Sequence, residues 1–226
     1  MSWFISYARS SIGAKHIMAV TGLGMVLFAI VHMLGHLSMF VGREAYNSYA
    51  ATLQGLGALK WAARAGLLAL LLGHVATAVI LVRGNVAARP QKYAVQRFVR
   101  TSFAARTMAL TGLVTLAFIV YHLLHFTFGW IQPEYFDVPD AKGRPDAYSM
   151  FVMGFKSLPI LVSYVVAVTL LCLHLTHGAS SWLQSLGLKH PKYDRALEAM
   201  GPALAVLLIV GYLAPPLAVA FHVIEL

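Results

Sequence analysis

The stretch LFAIVHMLGHL, residues Leu27–Leu37, is apolar enough to lie inside a lipid bilayer, yet it carries two histidines, His32 and His36, one helical turn apart. Ionisable side chains are costly inside a membrane and are first treated as candidates for function. The fold depends on how many such stretches the chain contains, and the function depends on what their histidines face.

Composition places the whole chain in a membrane. Of its 226 residues, 59% are hydrophobic and only 11% are charged, whereas soluble domains are about 25% charged. We therefore predict an all-α membrane protein, a single domain over residues 1–226. Five apolar runs of bilayer-spanning length predict transmembrane helices at about 15–41, 60–83, 106–130, 157–184 and 200–223. The single cysteine excludes an internal disulfide and an iron–sulfur cluster held by this chain alone.

The lysines and arginines predict the orientation of these helices, because loops rich in them face the cytoplasm. The net charge of +9 is therefore assigned to loops and not to nucleic-acid binding. Most basic residues fall on one predicted side of the membrane. They are Arg9, Lys15, Arg83, Arg89, Lys92, Arg97, Arg100, Arg106, Lys189, Lys192 and Arg195. This asymmetry predicts a cytoplasmic N-terminus and an outer C-terminus.

Four histidines fall at two predicted depths. His32 and His122 lie about 25 and 24 Å of helix beyond the inner ends of the first and third spans. His74 and His174 lie about 13 and 15 Å from the inner ends of the second and fourth spans. We name His32 and His122 the outer pair, and His74 and His174 the inner pair.

Two facing imidazoles at one depth suit a haem iron whose two axial positions are both filled, which carries electrons. Zinc or copper would fit less well, because the spans offer almost no carboxylate to complete a site. A repeated T-G-x9-H pattern supports pairing spans one and three. It consists of Thr21, Gly22 and His32 in span one and of Thr111, Gly112 and His122 in span three.

Five segments, in this order and spacing, resemble a known family. They are TGLGMVLFAIVHMLGHL, GREAYNSYA, LLGHVATAV, TGLVTLAFIVYHLLHF and HLTHGASSWLQSLGLKHPKY. Over nearly its whole length the chain is similar to the cytochrome b membrane-anchor subunit of succinate dehydrogenase and fumarate reductase (complex II), of the single-subunit, five-helix, two-haem type found in bacteria. The resemblance implies two haem b groups, one ligated by His32 and His122 and the other by His74 and His174. His177 remains an alternative to His174.

The resemblance also implies partners and a location. A flavoprotein subunit, which performs the dicarboxylate chemistry, and an iron–sulfur subunit would dock on the cytoplasmic face of a bacterial cytoplasmic membrane. The chain would pass electrons between their clusters and a membrane quinone, menaquinone or another. Five residues are candidate contacts of a haem propionate or a quinone, namely His36, His125, Glu44, Lys15 and Arg106. The alternative for His36 and His125 is simple packing, and the alternative for Glu44 is a solvated loop position. For Lys15 and Arg106 it is the positive charge that flanks a span on its cytoplasmic side.

Two rival hypotheses stay open. The first is the cytochrome b anchor of a hydrogenase, formate dehydrogenase or nitrate reductase, which also has several spans and histidine pairs. The second is a haem-free membrane scaffold or transporter whose histidines only form hydrogen bonds between helices.

Overall fold

The computed structural model describes residues 3–89, 91, 97–98 and 101–226. Two of the basic residues used for the orientation, Lys92 and Arg100, lie outside them. The described chain contains eight α-helices and no strand. They are α1 (Trp3–Arg9), α2 (Ser11–Leu37), α3 (Arg43–Gln54), α4 (Ala58–Ala87), α5 (Phe103–Phe126), α6 (Ala147–Lys156), α7 (Leu158–Ser185) and α8 (Asp194–Ala220).

Five helices are long and apolar enough to cross a membrane, which confirms the predicted all-α, five-span architecture. The candidate spans are Ser11–Phe40, Ala58–Ala87, Phe103–Phe126, Leu158–Ser185 and Pro191–Ala220. Their outward sides carry exposed leucine, valine and phenylalanine side chains, as expected where lipid replaces water.

Helix α7 lies at the centre of the bundle and packs against α2, α5 and α8, while α4 packs against α2. One buried cluster joins α2, α7 and α8 through Met33, Cys172 and Leu208. Gly211 permits this approach, because a Cβ atom there would collide with Met33. The most extensive packing in the bundle therefore joins α7 to α8, α2 to α4 and α5 to α7, and α2 also contacts α7 and α8.

Two shorter helices, α3 and α6, cover one end of the bundle. Their sequences were expected to be interruptions between spans. We name the covered end the α3–α6 end, and the opposite one the α1 end. Helix α3 is amphipathic: it buries Tyr46 and Asn47, while its other residues are partly buried or exposed. Such a helix has no long apolar run, so hydropathy alone does not reveal it.

Asp146 connects these two helices. It caps the N-terminus of α6 by accepting a hydrogen bond from the Ser149 N–H at 3.1 Å. It also accepts from Asn47 Nδ2 at 2.9 Å and from the Arg43 guanidinium, both on α3. Burial alone would raise the pKa of the Asp146 carboxyl, but these hydrogen bonds outweigh burial and hold its pKa well below the usual range.

A second ionic group joins α3 to the loop before α6. Arg144 bridges Glu44 on α3, at 2.9 Å, and Asp140, at 2.7 Å. Lys142 lies 2.7 Å from the same Glu44 carboxylate. Hydrogen bonds from Arg144 and Lys142 lower the pKa of Glu44 from 4.5 to about 2, and hydrogen bonds from Arg144 lower that of Asp140 from 3.8 to about 2.

This group predicts an acid-sensitive attachment of α3. Because the folded pKa values are depressed, the two carboxylates stabilise the fold above about pH 4.5, and that contribution is lost as the pH falls towards 2. We expect hydrogen exchange in α3 to accelerate relative to the spans over that window. Glu44→Gln should flatten this pH dependence, whereas Glu198→Gln, at the α1 end, should leave it unchanged. Identical pH profiles in all three proteins would contradict the assignment.

Candidate functional site

The structure brings the four predicted histidines together as two pairs. The His32 and His122 ring centroids lie 5.8 Å apart with an interplanar angle of 81°, and those of His74 and His174 lie 6.4 Å apart at 65°. All four side chains are partly buried. The outer pair lies towards the α3–α6 end, since the next histidine along α2, His36, contacts Tyr46 of α3.

Each pair joins helices whose backbones otherwise stand apart. The most extensive packing joins α7 to α8, α2 to α4 and α5 to α7, whereas the outer histidine pair connects α2 to α5 and the inner pair connects α4 to α7. Within the described residues, those last two helix pairs have almost no close backbone approach. The imidazoles of each pair therefore meet between the α2–α4 half of the bundle and the α5–α7 half.

The spacing of the rings fits one metal atom between them. An imidazole nitrogen binds a metal at about 2 Å, so two rings on opposite sides of one atom have centroids roughly 6 Å apart. Neither level offers a complete protein site, because no group of three or more histidine, cysteine or carboxylate side chains that could hold a metal ion occurs in the part of the chain that the structure describes. Such a metal would need its other ligands from elsewhere, as haem iron has them from its macrocycle.

The threonines of the T-G-x9-H pattern orient the inner pair. Thr21 donates its hydroxyl proton to the Ile17 carbonyl at 2.7 Å, so its oxygen accepts from His74 Nδ1 at 3.4 Å. In the second half of the bundle, Thr111 Oγ1 likewise lies 3.2 Å from His174 Nδ1. A proton held on Nδ1 leaves the Nε2 lone pair free, which is the form that binds a metal.

The glycines of the same pattern make room for these rings. A Cβ atom on Gly22 would lie 3.3 Å from His74 Cε1, and one on Gly112 would lie 3.2 Å from His174 Cε1. The pattern therefore marks two levels on one helix face. Its threonine and glycine contact the inner histidine of the adjacent helix, and its own histidine, eleven residues later and about 16 Å further along, belongs to the outer pair.

The geometry favours His174 over His177 as the fourth ligand. His174 faces His74 and contacts Thr111. His177 is partly buried on the next turn of α7, and it makes no hydrogen bond or ring contact within the described residues. The role of either residue as an iron ligand remains a prediction.

The other two histidines in the outer half of the bundle are engaged with protein partners. His36 Nδ1 lies 2.9 Å from the Tyr46 hydroxyl, and its Nε2 lies 3.3 Å from His32 Nε2. His125 is buried, with 2% of its surface exposed, and both of its ring nitrogens are hydrogen-bonded. These contacts favour a structural role for His125 over a direct contact with a propionate or quinone.

The three charged candidates lie near the ends of the bundle. Glu44 is paired with two cations, and its lowered pKa leaves it ionised at neutral pH, which makes it a poor proton acceptor. Lys15 is exposed on the first turns of α2. The Arg106 guanidinium lies 4.3 Å from the centroid of the Phe98 ring. A propionate contact by either cation remains a prediction.

Two residues that the sequence reasoning did not select belong to the site. The Thr115 hydroxyl oxygen is buried without a hydrogen-bond partner in the described chain. It lies on the same face of α5 as Thr111 and His122, between the two levels, so it is available to a group bound between them. The Tyr164 hydroxyl lies 3.3 Å from His122 Nδ1. A threonine or tyrosine inside an apolar span gives no signal in sequence until its neighbour is known.

Comparison of the chain with protein-family models, with curated proteins and with solved structures finds no match.

Proposed function

We propose that this chain is the dihaem cytochrome b anchor of a succinate:quinone oxidoreductase in a bacterial cytoplasmic membrane. The observation that carries the proposal is the presence of two imidazole pairs, each at metal-binding spacing and each between helices that otherwise stand apart. The order and spacing of the five sequence segments supply the resemblance to complex II anchors.

The side chains of this chain would hold two haem b groups and set their positions. His32 and His122 would bind one iron, and His74 and His174 the other. A haem with two histidine ligands supplies reversible one-electron transfer and has no open position for oxygen. Thr21 and Thr111 hold the inner rings in the metal-binding tautomer, and the apolar spans exclude water from both levels. The separation of about 16 Å between the levels arranges two electron carriers along the bundle.

The partners follow from what the chain lacks and from its charge. Its only cysteine, Cys172, is buried in the bundle, so iron–sulfur clusters must come from another subunit. We assign the docking of the iron–sulfur and flavoprotein subunits to the α1 end, to which the sequence assigns most of the basic residues, and make that end cytoplasmic. A membrane quinone, with menaquinone as the first candidate, would react near the outer haem.

The test is to purify the intact complex from its native membrane through a tag on this chain. We expect haem, a flavoprotein and an iron–sulfur subunit to co-purify and to catalyse succinate-dependent reduction of a soluble menaquinone analogue. Reduction of the quinone analogue by formate or hydrogen instead of succinate, or oxidation of the quinol by nitrate, would assign the chain to the rival group of respiratory anchors. Co-purification without haem would support the scaffold hypothesis.

The glycine contact gives a further test of the inner site. Gly112→Val places branched carbon atoms against the His174 ring, where even a Cβ atom would lie 3.2 Å away. We expect the variant to lose the inner haem and keep the outer one. Gly66→Val is the matched control, because a Cβ atom at Gly66 on α4 meets nothing within 4 Å. Full haem content in the Gly112 variant, or an equal loss in both, would contradict the assigned contact.

A further inference from the structure

A continuous row of polar atoms leads away from the outer pair towards the α3–α6 end. His122 Nδ1 lies 3.3 Å from the Tyr164 hydroxyl, and the same hydroxyl lies 3.0 Å from His125 Nδ1. On its other side, His125 Nε2 lies 3.1 Å from Gln132 Oε1. The row thus connects α5, α7 and the loop after α5 through four side chains.

The chemistry of the acceptor at the end of the row sets the direction of every hydrogen bond in it. The Gln132 carbonyl oxygen only accepts, so His125 carries its proton on Nε2 and its Nδ1 accepts from the Tyr164 hydroxyl. The Tyr164 oxygen has then used its only proton, and it accepts from His122 Nδ1–H. His122 is left with a free lone pair on Nε2.

The surroundings hold this row in a single arrangement. Tyr164 and His125 are buried, with 6% and 2% of their surfaces exposed. Gln132 has a positive φ of 55°, which directs its side chain back towards the end of α5. A Cβ atom on Gly154 of α6 would lie 3.4 Å from the His125 ring and 3.5 Å from Gln132 Oε1, so α6 covers the row closely.

We infer that Tyr164, His125 and Gln132 form a proton-ordered hydrogen-bond relay that holds His122 in the Nδ1–H tautomer and tunes its strength as an axial ligand of the outer haem. The inference rests on the proposed function. Tyr164 is a positioning residue in this role. It acts at the outer site as Thr21 and Thr111 act at the inner one, but with a different donor–acceptor chain. An acceptor on the distal nitrogen increases the basicity of a ligating imidazole, and removing that acceptor decreases it.

The first test compares two tyrosine-to-phenylalanine variants of the full chain in the purified complex. Tyr164→Phe removes the acceptor from His122. Tyr121→Phe makes the same chemical change on a ring 5.8 Å from Tyr164 whose hydroxyl takes no part in the relay. We expect Tyr164→Phe to raise the midpoint potential of the outer haem and to alter its low-spin electron paramagnetic resonance signal, with the inner haem unchanged. Tyr121→Phe should match the parent. Unchanged potentials and signals in Tyr164→Phe, or equal shifts in both variants, would overturn the inference.

The second test separates the relay from simple packing. In His125→Leu, the Tyr164 hydroxyl loses its acceptor and is free to donate to His122 Nδ1, which favours the tautomer that cannot bind iron. We expect partial loss of the outer haem. Adding Tyr164→Phe removes the competing donor, so the double variant should hold more outer haem than His125→Leu alone. A double variant that holds as little haem as the single one, or less, would indicate packing and overturn the relay.

The parent protein distinguishes failure of this inference from failure of the proposed function. A parent complex with no haem contradicts both. A parent with two haems, together with variants that show none of the expected changes, contradicts the relay alone.

Discussion

Replacement of any one of His32, His74, His122 and His174 by alanine is expected to lower the haem content from two per chain to one. Each residue belongs to one of the two proposed ligand pairs, so its loss would leave a bound haem iron with a single histidine ligand. The measurement is haem per chain by pyridine haemochrome, with the reduced-minus-oxidised spectrum identifying which haem remains.

His177→Ala is the matched control for this series. His177 lies one turn from His174 on the same helix and is also partly buried. The His177→Ala variant should keep both haems. Loss of a haem in His177→Ala, with retention in His174→Ala, would reverse the assignment of the fourth ligand.

Double variants test the pairing itself. His32→Ala with His122→Ala removes both donors of one level and should still leave one haem per chain. His32→Ala with His74→Ala removes one donor from each level and should leave none firmly bound. The opposite pattern would show that the pairs are assembled differently from the described geometry.

Replacement of Asp146 by alanine is expected to destabilise the folded chain by about 2–4 kcal/mol, since it removes a helix cap and leaves buried hydrogen-bond donors without an acceptor. The Asp146 side chain is only 5% exposed, and it accepts from Arg43, Asn47 and Ser149. The free energy of unfolding in mixed detergent micelles measures the change. Proteolysis near α3 should also be faster in this variant than in the parent.

Two further variants define the cause of this loss. Asp146→Asn keeps a capping oxygen but loses the charge, so it should fall between the parent and the alanine variant. Glu134→Ala, an exposed acid in the same loop, should change stability by less than about 0.5 kcal/mol. A loss below about 1 kcal/mol in Asp146→Ala would mean that α3 and α6 are held chiefly by apolar packing.

The sequence was sufficient for the five spans and for the two histidine levels. Spans are read from uninterrupted apolar runs, and depth follows from the constant rise of an α-helix, so neither needs knowledge of which helices touch. Helix α3 was missed because a search for long apolar runs does not detect a short amphipathic helix, and the burial of Tyr46 and Asn47 against other elements is visible only in the structure.

The finer structure of the site depended on contacts between different helices. The T-G-x9-H pattern was visible, but its threonine and glycine contact histidines 53 and 63 residues away on adjacent helices. The relay through Tyr164 likewise joins residues 39 and 42 positions apart. Glu44 was a candidate quinone or propionate contact in sequence, whereas the structure pairs it with Arg144, 100 residues later.

The most direct test of the central claim is the haem content of the purified parent chain, with its dithionite-reduced minus oxidised spectrum. We expect close to two haem b per chain, both six-coordinate and low-spin, because the proposed histidine pair at each level would fill both axial positions. A chain that folds with five spans and binds no haem would contradict it.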